Sequence, residues 1–374
     1  MVLFPTLIVV YMTAFLVHNR ARGEVIQMRA TLFEQFQGPV SVTTVPDPVP
    51  ARDGVVVAVR ATGLCRSDWH GWMGHDSDVV LPHVPGHELA GEIVALGPDV
   101  KRWRRGDRVT VPFSMGCGRC PQCSGGNQQI CDDYFQPGFT GWGSFAEYVA
   151  LPHADANLVR LLNDLSFEAA ALLGCRFVTA FRGLVAQARV AAGEWVVVFG
   201  LGGVGLSAVM IAAAQGAQVI GVDIDDGKLA FARTVGLKAG INAAQSHDVP
   251  QAVAALTNGG AHVSVDALGS RQTVYQAVQS LRKRGRHVQI GLLLGDDVDP
   301  PMPLGAVVGR ELEIYGSHGM QAHAYPPLLG LVADGRLQLS KLVGRRLTLD
   351  EVPAALKEMD TFAGTGVAVI DPYA

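Results

Sequence analysis

The sequence predicts an α/β chain in two parts, a mainly β, barrel-like lobe followed by a doubly wound parallel sheet with helices on both faces. Three observations predict it. Up to about residue 150, short apolar runs alternate with glycine and proline turns, the pattern of many short strands. From about Ala191 the pattern alternates between short apolar strands and longer helical stretches, the signature of βαβ units. At the start of that region lies Gly200-Leu201-Gly202-Gly203-Val204-Gly205, a glycine-rich turn between an apolar strand and an apolar helix.

The first residues stand apart from this plan. Residues 2–17 carry no charge, yet the run is slightly short for a bilayer span and Pro5 interrupts it. No positive segment precedes it and no clear small-residue cleavage site follows, while Arg20 and Arg22 flank its end as they would an anchor. Residues 1–27 are therefore expected to be an extension outside the fold. An N-terminal membrane anchor through residues 2–17, or a segment packed on the surface, are the alternatives.

Elements follow in order. The opening strand is expected at 28–32, with further strands at 54–60 and 92–96, and Gly106-Asp107-Arg108-Val109 turns into another. In the second part strands are expected at 194–200, 218–223, 262–267 and 286–291, with helices at 204–215, 225–235 and 271–281. Helical stretches at 325–333 and 349–359 and a last strand at 366–371 predict a tail that returns to the first part. The expected domains are 28–180, 181–320 and the return at 321–374.

Composition narrows the function classes. The 374 residues suffice for two domains, and 49% hydrophobic against 17% charged residues allows a large core. A net charge of −4 and a pI near 6.2 point away from nucleic acid and anionic membrane surfaces. Four of the six cysteines crowd between Cys117 and Cys131. In a long, enzyme-like chain that reads as metal binding in a reducing compartment rather than as disulfides. The expected location is therefore cytoplasmic.

The glycine turn points to a dinucleotide. Gly200 permits the tight turn, Gly202 lets the backbone approach a pyrophosphate, and Gly205 lets helix and strand pack closely. Gly203 and Val204 open the helix, whose N-terminal N–H groups face the phosphates. Asp223 ends the next strand, 18 residues after Gly205. A carboxylate there accepts from ribose hydroxyls and repels a 2′-phosphate, which predicts NAD over NADP. Lys228 is in reach of the same ribose. The bland alternative is a glycine turn with a helix-capping aspartate.

Two cysteine-bearing constellations point to metal. Cys117, Cys120, Cys123 and Cys131 have the spacing Cys-X2-Cys-X2-Cys-X7-Cys, which closes a four-thiolate site with no open position. A structural zinc fits it, and an iron–sulfur cluster is its main rival. Cys65, His87 and Cys175 make a two-sulfur, one-nitrogen set, the three-ligand arrangement of a catalytic zinc with an open fourth position. Glu88 adds a carboxylate beside it. Between Cys65 and His70 the chain packs a thiol, a cation, a hydroxyl, a carboxylate and an imidazole. In that stretch Arg66 suits a phosphate, and Ser67 and His70 suit proton transfer, with an ordinary surface histidine as the alternative. Trp69, Trp72, Phe113, Phe135 and Trp142 are candidates to line a pocket for bulky or aromatic substrates, or are plain core.

From Met28 to its end the chain resembles the zinc-dependent alcohol dehydrogenases of the medium-chain dehydrogenase/reductase superfamily. The resemblance is carried by Gly63-Leu64-Cys65-Arg66-Ser67-Asp68, Gly86-His87-Glu88, the four-cysteine loop, Gly174-Cys175, and Gly200–Gly205 with Asp223. It implies a GroES-like catalytic domain, a Rossmann cofactor domain, NAD and two zinc ions per chain. It implies that Cys65, His87 and Cys175 hold the catalytic zinc, with Glu88 as a neighbouring or exchangeable ligand, and that the four-cysteine loop holds the structural zinc. Ser67 and His70 match a proton relay, Asp68 the carboxylate that orients the ligating imidazole, Arg66 a pyrophosphate contact and Thr179 a nicotinamide contact. Relatives often carry an arginine before the last strand to touch the pyrophosphate, where this chain has Val367. The implied activity is interconversion of primary or secondary alcohols with aldehydes or ketones. Formaldehyde and polyol branches, and a non-catalytic NAD-binding protein, are the alternatives. A homo-oligomer is implied, a tetramer ahead of a dimer.

Overall fold

A computed structural model describes residues 27–361 and 364–374. The expectation for residues 1–27 falls, but for Gln27, outside the described residues. Among the described residues no helix is long and apolar enough to cross a membrane.

The first lobe is mainly β. A hairpin of β1 (Gln27–Phe33) and β2 (Val40–Pro46) precedes β3 (Val55–Leu64), a helix α1 (Arg66–Met73), β4 (Glu88–Leu96) and three short strands. These are β5 (Arg108–Thr110), β6 (Tyr148–Leu151) and β7 (Val159–Arg160). β3 reads Val-Val-Val-Ala-Val-Arg-Ala-Thr-Gly-Leu, and all but Arg60 is buried. Its β-branched residues suit a strand covered on both faces. β3 continues four residues past the expected 54–60, and β4 starts four residues before the expected 92–96. Arg60 and Glu92 pair across the two strands at 2.7 Å, so neither charge ends its strand.

The second lobe is a six-stranded parallel sheet. Its strands are β8 (Trp195–Phe199), β9 (Gln218–Asp223), β10 (Ala239–Asn242), β11 (Ala261–Asp266), β12 (Leu281–Gln289) and β13 (Glu313–Gly316). Their order is β10-β9-β8-β11-β12-β13, every pair parallel. The order reverses between β8 and β11, which opens a crevice at the carboxyl ends of the strands. Helices α2 (Arg176–Phe181), α3 (Gly203–Ala214), α4 (Asp226–Arg233), α5 (Val249–Thr257) and α6 (Arg271–Gln279) accompany it. β10, α5 and β13 were not expected from the sequence. β10 and β13 are four residues each and carry no apolar alternation. β12 begins five residues before the expected strand because it runs through Arg284, whose φ of +62° marks an irregularity that the charged run Arg282–Arg284 conceals.

The C-terminal elements lie beyond the parallel sheet. After α7 (Tyr325–Ala333) come β14 (Val343–Thr348), α8 (Val352–Glu358) and β15 (Val367–Asp371). β15 pairs antiparallel with β3, Ala368 opposite Leu64. The largest core cluster joins both lobes through α2: Phe177, Val178 and Phe181 share it with Ala61 and Ala90 on one side and Val196 and Val198 on the other. The residues just before α2 are thereby held at the junction.

Candidate active site

Three element ends converge. The β3–β4 register sets Gly63 opposite Glu88, so Cys65, beyond the end of β3, and His87, before the start of β4, stand side by side. Cys175 is the N-cap of α2. Gly174 makes its approach possible: a Cβ there would lie 2.8 Å from the Glu88 Cα. One ligand atom each from Cys65, His87, Glu88 and Cys175 all lie within 4.8 Å of one another.

Asp68 organises the centre. One carboxylate oxygen accepts from the Cys65 backbone N–H at 2.9 Å, which caps α1. The other accepts from the Gly86 N–H at 3.1 Å and pairs with His87 Nδ1 at 2.8 Å. With Nδ1 so held, His87 Nε2 is left buried and without a hydrogen-bond partner. A buried orphan imidazole nitrogen among two thiols is what a soft or borderline cation would satisfy, so the residues fit a zinc ion. Burial works against a charged His87, but Asp68 overrides it and raises the imidazole well above its ordinary range. Cys65 is pushed well down, first by a hydrogen bond from Cys175 and then by Arg176 and His87 against the cost of burial. Cys175, the donor of that pair, is pushed up.

Glu88 is fully buried, and burial pushes its carboxyl up. Its partner was missed in the sequence. The Arg176 backbone N–H and Nε both donate to Glu88 Oε1 at 2.9 Å, Nη2 donates to Oε2, and Nη1 donates to the Leu64 carbonyl at 3.0 Å. The signal was a lone charge in the apolar stretch Ala171-Leu172-Leu173-Gly174-Cys175-Arg176-Phe177-Val178.

The remaining candidates lie around this centre. The Ser67 hydroxyl is 3.8 Å from Cys65 Sγ. His70 is half-buried, and its Nδ1 faces His75 Nδ1 at 2.9 Å, a second partner not foreseen. Burial, then the neighbouring Arg66 and His75, bring His70 down to about 4. Arg66 stacks over the Trp69 ring at 3.9 Å and donates to the Met359 carbonyl. Of the five aromatics, Phe113 meets His87 edge-on at 6.2 Å, and Phe139, not singled out before, does so at 5.4 Å. Trp69 packs against His70 and His75. Trp72 is core, Phe135 is partly buried against the core, and Trp142 lies at the surface with its N–H on the Pro82 carbonyl.

The glycine turn lies across the junction. Gly200 has φ +83°, and a Cβ on Gly205 would sit 1.8 Å from the Gly200 carbonyl oxygen, so neither position tolerates a side chain. A Cβ on Gly202 would meet nothing within 4 Å, which leaves its backbone open to a ligand. Asp223 accepts from the Leu201 N–H at 2.8 Å, tying the end of β9 to the turn. Lys228 stands in the first turn of α4, its backbone N–H on the capping Asp225. Thr179 is buried one turn beyond Cys175 and donates to that carbonyl at 2.8 Å. Val367 is buried at the start of β15 and presents no charge.

A second cluster stands in the loop between β5 and β6. Ligand atoms of Cys117, Cys120, Cys123 and Cys131 also lie within 4.8 Å of one another, with no disulfide among them. Backbone N–H groups of Cys117, Cys120, Cys123 and Asp133 point at these sulfurs at 3.2–3.4 Å. Such donors stabilise thiolates, so this set fits a cation too.

The chain is similar to known proteins over most of its length. Residues 51–162 match the model of the alcohol dehydrogenase GroES-like domain, and residues 203–334 that of the zinc-binding dehydrogenases. An alcohol dehydrogenase of Geobacillus stearothermophilus is 35% identical over 78% of this chain and 84% of its own length. An NAD-dependent alcohol dehydrogenase of Sulfurisphaera tokodaii is 32% identical over 92% of this chain and 100% of its own. A protein of Sinorhizobium meliloti 1021, solved with NADP bound, superposes with a TM-score of 0.83 at 28% identity, covering 93% of this chain and all of its own. The chain belongs to the zinc-binding alcohol dehydrogenase family of the medium-chain dehydrogenases/reductases, with its GroES-like and Rossmann lobes.

Proposed function

We propose that the protein oxidises primary or secondary alcohols to aldehydes or ketones, and runs the reverse reaction, with NAD as hydride acceptor. The observation that carries this reading is the Cys65–His87–Cys175 set, Cys65 and His87 buried and His87 Nε2 without a partner, at the junction with the glycine turn. When bound there, zinc supplies a Lewis acid that acidifies a substrate hydroxyl, and the nicotinamide supplies the hydride acceptor. Cys65, His87 and Cys175 hold the metal, and Asp68 fixes the imidazole so that Nε2 faces it. Phe113 and Phe139 flank that imidazole and exclude water on one side. Ser67 takes the substrate proton and His70 passes it outward. His70 Nδ1 is within hydrogen-bond distance of His75 Nδ1, which gives the path a second imidazole at its outer end. Cys117, Cys120, Cys123 and Cys131 hold a structural zinc. Gly200, Gly202, Gly203, Val204 and Gly205 receive the pyrophosphate, Thr179 supports the nicotinamide, and Arg66 and Lys228 add positive charge for the dinucleotide.

Asp223 favours NAD: its carboxylate ends β9 beside the turn, where a 2′-phosphate would meet a negative charge. A homo-oligomer is supported by the open edge strand β13, where Ile314 and the adjoining Leu304 and Val308 are exposed. The reading is tested by following absorbance of the reduced nicotinamide with NAD or NADP and a panel of alkanols, aromatic alcohols, secondary alcohols and sorbitol. NAD is expected to be preferred, and Asp223→Gly to lower that preference. An unchanged NAD/NADP ratio in that variant would sink the coenzyme assignment.

A further inference from the structure

Arg176 is enclosed by two things of different kind. On one side its guanidinium holds the buried Glu88 carboxylate, within the same cluster as the thiols and the imidazole. On the other side it lies against the glycine turn. A Cβ built on Gly203 would fall 2.5 Å from Arg176 Cδ, 3.1 Å from Nη1 and 3.2 Å from Nε. The glycine-rich pattern leaves that position free for any residue, but here Arg176 fills the space a side chain would need. Gly63 plays the same part on the opposite face, where a Cβ would lie 2.8 Å from Nη2.

A guanidinium carries five N–H donors. Nε and one hydrogen each on Nη1 and Nη2 are engaged by Glu88 and Leu64, which leaves about two, one per terminal nitrogen, by that inventory. The carboxylate fixes the plane of the fork, and Nη1 is the terminal nitrogen nearest the turn. No cation comes from β15, where Val367 is buried.

We propose that Arg176 binds the diphosphate of the dinucleotide at the Gly202–Gly203 turn while Glu88 anchors it, so that one side chain ties the metal centre to cofactor binding. The inference rests on the dinucleotide reading of that turn. Arg176 is a binding and positioning residue, and its charge stands at the junction of the lobes, where the phosphates would arrive.

The test compares the zinc-loaded protein with Arg176→Lys, which keeps Glu88 paired but has a single ammonium to offer. ADP-ribose and NADH are titrated separately, with zinc content and Tm recorded for each protein. Both affinities are expected to fall about ten- to a hundredfold, the size of one charged hydrogen-bonding group. KM for NAD should rise with them while kcat at saturating NAD stays within a few-fold, a split that a general loss of structure would not give. A Glu88→Gln/Arg176→Gln variant, with a neutral hydrogen-bonded pair, should show the same loss if the lysine variant folds poorly. A crystal structure of the unsubstituted protein with NADH supplies the last arm, with an Arg176 nitrogen expected within about 3.2 Å of a phosphate oxygen. Unchanged ADP-ribose affinity in a folded, zinc-loaded variant, or phosphates out of reach in that structure, overturns the proposal. Failure of the unsubstituted protein to bind NADH or ADP-ribose would instead overturn the dinucleotide reading.

Discussion

At the scale of the residue, charge placement decides what each group can do. His70 shows this most simply. Burial, Arg66 and His75 hold it at about 4, below its ordinary 6.5, so the unfolded chain takes up the proton first. Its contribution to stability is therefore complete above pH 6.5 and is lost as the pH falls toward 4. His83, His287 and His318 are shifted the same way by burial, so each adds to the loss of stability in acid. In His70→Gln, Tm should fall less between pH 6.5 and 4 than in the unsubstituted protein. The same variant should turn over about ten- to a hundredfold more slowly at neutral pH, with the gap closing in alkali where hydroxide takes the proton. A pH–rate profile identical to the unsubstituted one would remove His70 from the relay. Cys65 and Asp68 stand out in the sequence because unlike polar types are packed between Cys65 and His70, and His87 because an imidazole and a carboxylate follow a glycine in Gly86-His87-Glu88. Arg176 and His75 do not, because what matters about them is a partner 88 residues away for one and a ring turned back across a helix end for the other.

At the scale of the element, the ends carry the chemistry and the interiors hold them. α1 is closed by Asp68 at its start and by Gly74, at φ +78°, at its end, so Cys65 and His70 are fixed on one short, rigid helix. β8, α3 and β9 were readable because their periodicity was strong and the glycine turn punctuated them. β10 and β13 were not, since four-residue strands leave no period to read. The four-cysteine loop holds only a four-residue helix, Pro121–Ser124, and a 3-10 turn, Gln128–Ile130, and its sulfurs draw order from N–H donors and the expected metal. Cys123→Ser should therefore lose one zinc per chain and make that loop more sensitive to proteolysis, while the second zinc stays. Loss of both metals together would mean that the two clusters are not independent.

At the scale of the whole molecule, the two lobes share one core through α2, and this sets the Cys65–His87–Cys175 cluster of one lobe at the junction with the glycine turn of the other. The sequence displayed both motifs but not their meeting, because Cys65, His87 and Cys175 are separated by strands whose register only the folded sheet defines. Removal of metal decides whether they meet in a working site. The holoprotein would be treated with a chelator in steps while zinc per chain and NAD-dependent alcohol oxidation are measured together. Activity should vanish with loss of one zinc per chain, the other being retained in the four-cysteine loop, and should return when zinc is added back. Undiminished activity after the Cys65–His87–Cys175 set has been emptied, shown by a Cys65→Ser variant that lacks that zinc yet turns over normally, would contradict the account.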